Sequence, residues 1–412
     1  MNKDRSPLPR NPERLVLTVG STIGLCILGD SFLYGNLPIE AQNLGIALPL
    51  IGILLSANRL IRLISNTWAS SIFEKFGPRA PFIVATLLSL LTTAVYGAGW
   101  GFAFFLLARC GWGVAWSGLR QGGYQAVWTG GDLAKGKLMG LLWGMIRLGS
   151  AFSVLLGGYL RDQWGYQAGV FGVMSFTALA IPVAFLIQWP AEAQRAVSPK
   201  QSFWQGWQVA LKNRAGRRLL FAGSVHTTFE GILIATASLF LARRLGGLEF
   251  LSHFGIRVGT IAGLLLAIRW TSDILFAPLI GALSDRLGQR TTLLVLIGIL
   301  LASLLGVVTL SGGLLFFTLA LLFVSSAGLN VTLSALANGT ALRTERPHAY
   351  VGVYATVIDA GAALGPLLAY TVGTIVGFPS LYLAAAFVLA LAISRYSWSE
   401  REARAAGLES YK

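Results

Sequence analysis

The sequence predicts an all-α polytopic membrane protein, with twelve transmembrane helices arranged as two pseudo-symmetric six-helix bundles. Three observations predict it. The 412 residues are 55% hydrophobic and only 12% charged, with mean hydropathy +0.67, whereas ordinary soluble domains carry about a quarter charged residues. Twelve apolar segments approach the roughly 20 residues needed to cross a bilayer; they cover 15–37, 44–70, 81–100, 102–127, 138–160, 166–188, 219–241, 257–283, 291–310, 313–340, 350–372 and 378–397. The chain also repeats itself: a shift of 212 positions lays Arg147-Leu148-Gly149, in Met139 to Tyr159, on Asp359-Ala360-Gly361, in Tyr350 to Thr371. The organisation that follows is a bundle over 1–188, a linker over 189–218, and a second bundle with its tail over 219–412.

The net charge of +15 would suit nucleic acid if it were clustered, but its placement reads otherwise. With the N-terminus in the cytoplasm, four of the 32 Lys and Arg fall in outer loops, six within spans, and the other 22 on the cytoplasmic side. That bias is the positive-inside rule, and it places both termini in the cytoplasm of a cell with this protein in its cytoplasmic membrane. Nucleic acid is excluded as a partner on the same ground.

Residues 1–14 form a polar tail. The first span is longer than a leader core and has no convincing cleavage site, so it reads as a retained helix. It carries Asp30 and Tyr34, and Pro38 is expected to end it, since proline lacks the N–H a helix interior uses. The second span sets Asn58, Arg62 and Asn66 at i, i+4, i+8, with Arg59 close to that face. Such a stripe faces protein or a water-filled cavity rather than lipid. A tight turn, Phe73 to Arg79, follows. The fourth span carries Arg109 and Arg120, and the fifth Arg147. In the linker, Trp204 and Trp207 followed by basic residues suggest an interfacial amphipathic stretch. The seventh span carries His226 and Glu230, four apart and so on one face. Arg269 and Asp273 lie in the eighth, Asn330 and Asn338 in the tenth, and Asp359 in the eleventh. The third, sixth, ninth and twelfth rest on apolar length alone.

A carboxylate or guanidinium at membrane depth costs about 3 kcal/mol or more without a partner, a proton or water, so these side chains are the functional candidates. Aligning Gly77 with Gly288 lays Glu74 on Asp285 and Arg62 on Asp273, so arginines of the first half twice match aspartates of the second. Asp30 is the first candidate to carry a proton, because low dielectric disfavours a charged carboxylate and a nearby Arg109 would favour it. His226 with Glu230 is a candidate relay. Arg59, Arg62, Arg109 and Arg147 give the first half a cationic lining; Glu230, Asp273, Asp359 and Arg269 make the second half mixed. Asn58 and Asn330 add polar contacts, and Tyr34, Trp116, Tyr124, Trp128 and Trp143 can supply apolar walls. A cavity so lined suits an amphiphilic, zwitterionic or anionic organic solute.

The segment Gly281 to Arg290, GALSDRLGQR, resembles the conserved cytoplasmic turn of the major facilitator superfamily. The residues that carry the likeness are Gly281, Asp285, Arg286, Gly288 and Arg290. Phe73 to Arg79 resembles its degenerate first-half copy, with Glu74, Gly77 and Arg79. Arg109 with Gly113 resembles the fourth-helix motif tied to proton handling. Gly140, Gly144, Gly149, Gly157 and Gly158 resemble the glycine-rich fifth helix of the proton-coupled antiporter branch, except that Ser153-Val154 stands where that branch has Gly-Pro. The resemblance spans the whole chain. It implies a central cavity with alternating access between two bundles, a cytoplasmic gate at the two turns, and contacts of the second helix with the eleventh and the fifth with the eighth. Ion pairs Arg62–Asp359 and Arg147–Asp273 are then expected.

The function expected is secondary active transport of a small organic solute, proton-coupled, with export favoured over import or uniport. A non-transporting sensor or assembly factor on the same scaffold is the alternative from another class. No nucleotide loop, metal-ligand spacing or activated nucleophile argues for an enzyme. Three His, four Met and two scattered Cys supply no metal site. No cofactor is expected; the partners are the solute, protons and the lipid bilayer, and the chain is expected to be a monomer.

Overall fold

The computed structural model describes residues 11–129, 135–190, 203–212, 214–244 and 257–405. Among them twelve helices are long and apolar enough to cross a membrane: Pro12–Glu40, Leu48–Phe76, Arg79–Ala98, Phe102–Trp128, Gly136–Trp164, Tyr166–Leu186, Arg214–Arg244, Val258–Leu275, Gln289–Thr309, Gly312–Leu342, Ala349–Thr371 and Phe378–Trp398. Several outrun their apolar cores, because a helix satisfies its own backbone and can continue past the hydrocarbon. Large apolar side chains such as Leu107, Phe317 and Phe387 stand exposed, as suits surfaces whose solvent is lipid. The chain is a multi-pass membrane protein.

Two helices differ from expectation. The first runs two residues past Pro38 to Glu40, which anchors a polar network described below. The eighth stops at Leu275 and resumes as Ala277–Leu287. Pro278 stands in the first turn of the second piece, where its missing N–H leaves no bond unmade. Between the first and second halves, Phe203–Lys212 forms a helix of its own; the side chain of Trp204, residues 191–202 and both chain termini lie outside the described residues.

The molecule divides into two compact units, Met1–Pro199 with Gly246–Thr271, and Lys200–Leu245 with Ser272–Lys412. In the first unit the first and fifth spans touch backbone to backbone. A Cβ on Gly149 would lie 2.1 Å from the Gly24 carbonyl oxygen, inside any tolerable contact. The Ser153 hydroxyl donates to the Leu28 carbonyl at 2.5 Å, beside the irregular turn at Ile27. The same fifth span lies against the start of the eighth, where a Cβ on Gly263 would meet the Val154 carbonyl oxygen at 2.2 Å.

In the second unit the seventh span packs on the eleventh in the matching way. A Cβ on Gly361 would lie 2.4 Å from the Ser224 carbonyl oxygen, and Thr228 Oγ1 donates to the Gly361 carbonyl at 3.0 Å. Gly149 and Gly361 are the positions that the 212-residue shift superposes, so the internal repeat recurs in the packing itself. Small residues serve this purpose in membranes because close approach, rather than exclusion of apolar surface from water, drives helix association.

Candidate functional site

The polar centre of the first unit is built by three spans. Asp30 comes from the first, Asn58 from the second and Arg109 from the fourth. Gly113, one turn beyond Arg109, admits the second span: a Cβ there would lie 2.5 Å from the Asn58 carbonyl oxygen. Arg109 is fully buried, with Asp30 9%, Tyr34 4% and Asn58 3% exposed, so the charges are partnered by protein rather than by bulk water.

Arg109 uses its planar fork on several acceptors at once. Nη1 is ion-paired with Asp30 Oδ1. Nε donates to the Leu54 carbonyl at 2.8 Å, and Nη2 donates to the Leu55 carbonyl at 3.4 Å and the Tyr34 hydroxyl at 3.5 Å. The guanidinium also sits 5.6 Å from the Tyr34 ring centroid, with Arg59 at 5.7 Å from the same ring, near enough for cation–π attraction. Asn58 Nδ2 donates to Asp30 Oδ1 at 3.2 Å. Its other amide atom, Oδ1, is buried with no hydrogen-bond partner among the described residues. An orphaned buried acceptor costs about 1–3 kcal/mol, and here it belongs to the side chain that already holds the carboxylate.

The remaining candidates fall in both units. Arg62 and Arg147 are half-buried in the first unit, Arg147 lying 5.8 Å from the Trp143 ring centroid. Trp143 in turn packs on the buried Trp116, with ring centroids 6.3 Å apart. Arg269 is buried at the end of the segment that joins the first unit. In the second unit Glu230, Asp273, Asn330 and Asp359 are half-buried. His226 is buried, its Nε2 3.0 Å from the Ser326 carbonyl oxygen and 3.2 Å from the Ser326 hydroxyl on the tenth span. At the turns, Glu74, Arg79 and Arg286 are exposed, and Gly281 and Arg290 half-buried. The side chain of Asp285 lies outside the described residues. Gly77 and Gly288 end their helices at φ +71° and +83°, a left-handed backbone that explains why both copies of the turn carry glycine there.

Sequence reasoning passed over a second polar cluster, at the far end of the first unit's fifth span. Asp162, 7% exposed, collects five donors. Oδ2 accepts from the backbone N–H of Arg257 at 3.1 Å and of Thr260 at 2.7 Å, and from Thr260 Oγ1 at 2.8 Å. Oδ1 accepts from the Gly259 N–H at 3.1 Å and from Arg161 Nη1 at 2.9 Å. The acid thus caps the start of the eighth span, where N–H groups lack intrahelical partners and the helix dipole attracts an anion. Arg161 extends the cluster to Glu40, donating from Nε at 2.7 Å, and Asn43 donates to the other Glu40 oxygen at 2.8 Å. The only sequence cue is an Arg-Asp pair at a span's end; its partners stand about a hundred positions away on either side.

The family described as the Major Facilitator Superfamily matches residues 19–246 and 219–409. Among solved structures, the nucleoside transporter NupG superposes with a TM-score of 0.75 at 13% identity, over 97% of this chain and 100% of its own. A bacterial homolog of the human lysosomal transporter Spinster gives 0.71 at 14%, over 95% and 97%. The E. coli fucose:proton symporter FucP gives 0.59 at 14%, over 94% and 98%. At these identities the likeness is one of fold. No curated protein matches the chain in sequence.

Proposed function

The chain belongs to the Major Facilitator Superfamily, and from that premise we propose that it moves a small organic solute across the cytoplasmic membrane by alternating access, coupled to protons and directed outward. As a member of that family it is a transporter and not an enzyme. The solute class is amphiphilic, zwitterionic or anionic, to suit the arginines and aromatic rings of the first unit. The observation that carries the reading is the buried cluster of Asp30, Asn58, Arg109 and Tyr34.

The cluster offers a proton site with two defined states. With Asp30 charged, Arg109 and the Asn58 amide N–H both satisfy it. With Asp30 protonated, the carboxyl becomes a donor, and a turn of the Asn58 amide presents its orphaned Oδ1 as the acceptor. Arg109 keeps the Leu54 and Leu55 carbonyls in either state, so protonation loosens the first span from the fourth without setting a buried cation adrift. A solute anion that takes the place of the neutralised carboxylate beside Arg109 travels in the same direction as the proton, which is the uptake reading below. His226 and Glu230 are the candidate proton path of the second unit. Arg62 with Asp359 and Arg147 with Asp273 are proposed as latches that break and re-form during the cycle, with the Glu74 and Asp285 turns as the cytoplasmic gate. All four latch residues are ionisable and half-buried within spans.

Outward transport draws on the glycine-rich fifth span's resemblance to antiporters. Uptake or uniport of an organic anion is the second reading. The test begins with a thermal-unfolding screen of nucleosides, sugars and amphiphilic organic anions, since a ligand of the native state raises apparent stability. In proteoliposomes with the solute so found, Asp30→Asn is expected to abolish accumulation driven by a pH gradient while sparing counterflow. Gradient-driven accumulation that survives Asp30→Asn overturns the proton role. Full transport by both Arg62→Gln and Asp359→Asn overturns the latches.

A further inference from the structure

In the second unit, the start of the seventh span and the end of the twelfth border an open pocket of about 220 Å³ lined by Arg217, Arg218, Phe221, Ala392 and Arg395. Three arginines therefore border one small space, Arg217 and Arg395 exposed and Arg218 half-buried, and its described lining holds no acidic side chain. Arg217 spends one N–H on the Leu211 carbonyl at 3.1 Å, which leaves most of its five donors for other acceptors. Such a site selects an anion by its charge, as basic residues at a membrane surface select acidic headgroups.

The same two helices, with Leu368 of the eleventh span, line a second cavity of about 240 Å³. Its lining includes Val225, Phe229 and Ile232 of the seventh span, and Leu381, Ala385 and Val388 of the twelfth. These residues continue the faces of the first cavity. Val225 stands four positions beyond Phe221, and Val388 four positions before Ala392, each one helical turn onward. From Phe221 to Ile232 the groove descends about 16 Å at 1.5 Å per residue. It thus runs from the basic mouth into the apolar part of spans Arg214–Arg244 and Phe378–Trp398. Phe221 lies exposed at its mouth.

We propose that this paired feature is a binding site for an anionic phospholipid, its phosphate held by Arg217, Arg218 and Arg395 and one acyl chain laid along the groove between the seventh and twelfth spans. A cationic mouth over an apolar channel complements that ligand at both ends, as basic pockets between membrane helices do for acidic headgroups. A free phosphate would use the arginines alone, and a zwitterionic lipid would bring a choline cation to the same mouth.

The experiment uses the full chain, purified and delipidated in detergent, with bound lipid counted by native mass spectrometry. The probes are phosphatidylglycerol, phosphatidylcholine of equal chain length, and inorganic phosphate. The wild type is expected to retain phosphatidylglycerol over phosphatidylcholine. Changing Arg217, Arg218 and Arg395 together to Gln is expected to weaken phosphatidylglycerol on the order of 100-fold, each basic residue at a membrane surface contributing roughly tenfold or less. Arg395→Lys keeps the charge and is expected to keep the preference. Ala385→Trp fills the groove, leaves every arginine in place, and is expected to lower retention at least about tenfold. Equal binding of the two lipids overturns the proposal. So does displacement of phosphatidylglycerol by equimolar phosphate, undiminished retention by Ala385→Trp, or an Arg395→Lys protein that folds as the wild type does and loses the preference.

Discussion

Replacing Asp162 by alanine removes one carboxylate and strands five donors, three of them backbone N–H groups at the start of the eighth span. Losing a helix N-cap costs about 0.5–2 kcal/mol, and bonds to a charged acceptor contribute about 1.5–3 kcal/mol each in buried settings. These terms overlap, because the freed N–H groups recover part of the loss from water at this span end. A local destabilisation of about 2 kcal/mol is a conservative figure, and it corresponds to roughly a 30-fold change in the opening equilibrium. The assay is amide hydrogen exchange on the purified protein, read on the peptide containing residues 257–260. In the wild type, Gly259 and Thr260 should be protected although they lie in a first turn, where helix amides have no partner of their own. Asp162→Ala should speed their exchange about 30-fold while the middle of the seventh span is unchanged. Asp162→Asn retains one acceptor oxygen and should fall between. If the 257–260 amides exchange equally fast in wild type and alanine variant, the carboxylate does not cap the span.

Arg109→Lys should lower the apparent melting temperature in detergent more than any exposed arginine substitution does. One ammonium cannot reach Asp30, Tyr34 and the Leu54 and Leu55 carbonyls together, and a broken buried pair costs about 3–5 kcal/mol. Unchanged melting would mean that the charge alone matters. Gly149→Val and Gly361→Val should be comparably damaging, since each new Cβ falls within 2.4 Å of a facing carbonyl oxygen. Gly140→Ala, with open space around it, should fold normally, as measured by yield of monodisperse protein. A harmless Gly361→Val would show that the second unit's seam is looser than its twin.

The spans were legible because a bilayer demands about 20 apolar residues per crossing, a constraint strong enough to be seen without knowing any contact. The repeat was legible too, and it located Gly149 and Gly361 before any packing was known. The pairing of Asp30 with Arg109 could be anticipated as a proximity effect, but not the share of the guanidinium taken by the second span's carbonyls, because backbone acceptors carry no residue-type signal. The interruption of the eighth span at Phe276 went unread for a related reason. Pro278 in a long apolar run is tolerated inside membrane helices, so it marks a break only once the chain is seen. The Asp162 cluster was hidden by distance: Glu40, Arg161 and Thr260 belong to separate helices, and nothing local distinguishes them from ordinary polar residues at span ends. The contact of His226 Nε2 with Ser326 on another span was not legible, because a hundred positions separate the two residues and a serine carries no local signal of its partner.

The way Arg109 is tethered has an electrical corollary. Its guanidinium is tied to the Leu54 and Leu55 carbonyls of the second span as well as to Asp30, so its positive charge is part of the scaffold. If Asp30 is the proton carrier, the protein's own mobile charge at this centre is that single proton, and the membrane potential acts on it by about 2.3 kcal/mol per 100 mV for a full crossing. An uncharged cargo would then generate current of one sign only, while a monovalent anion moving in the same direction as the proton would be electrically silent.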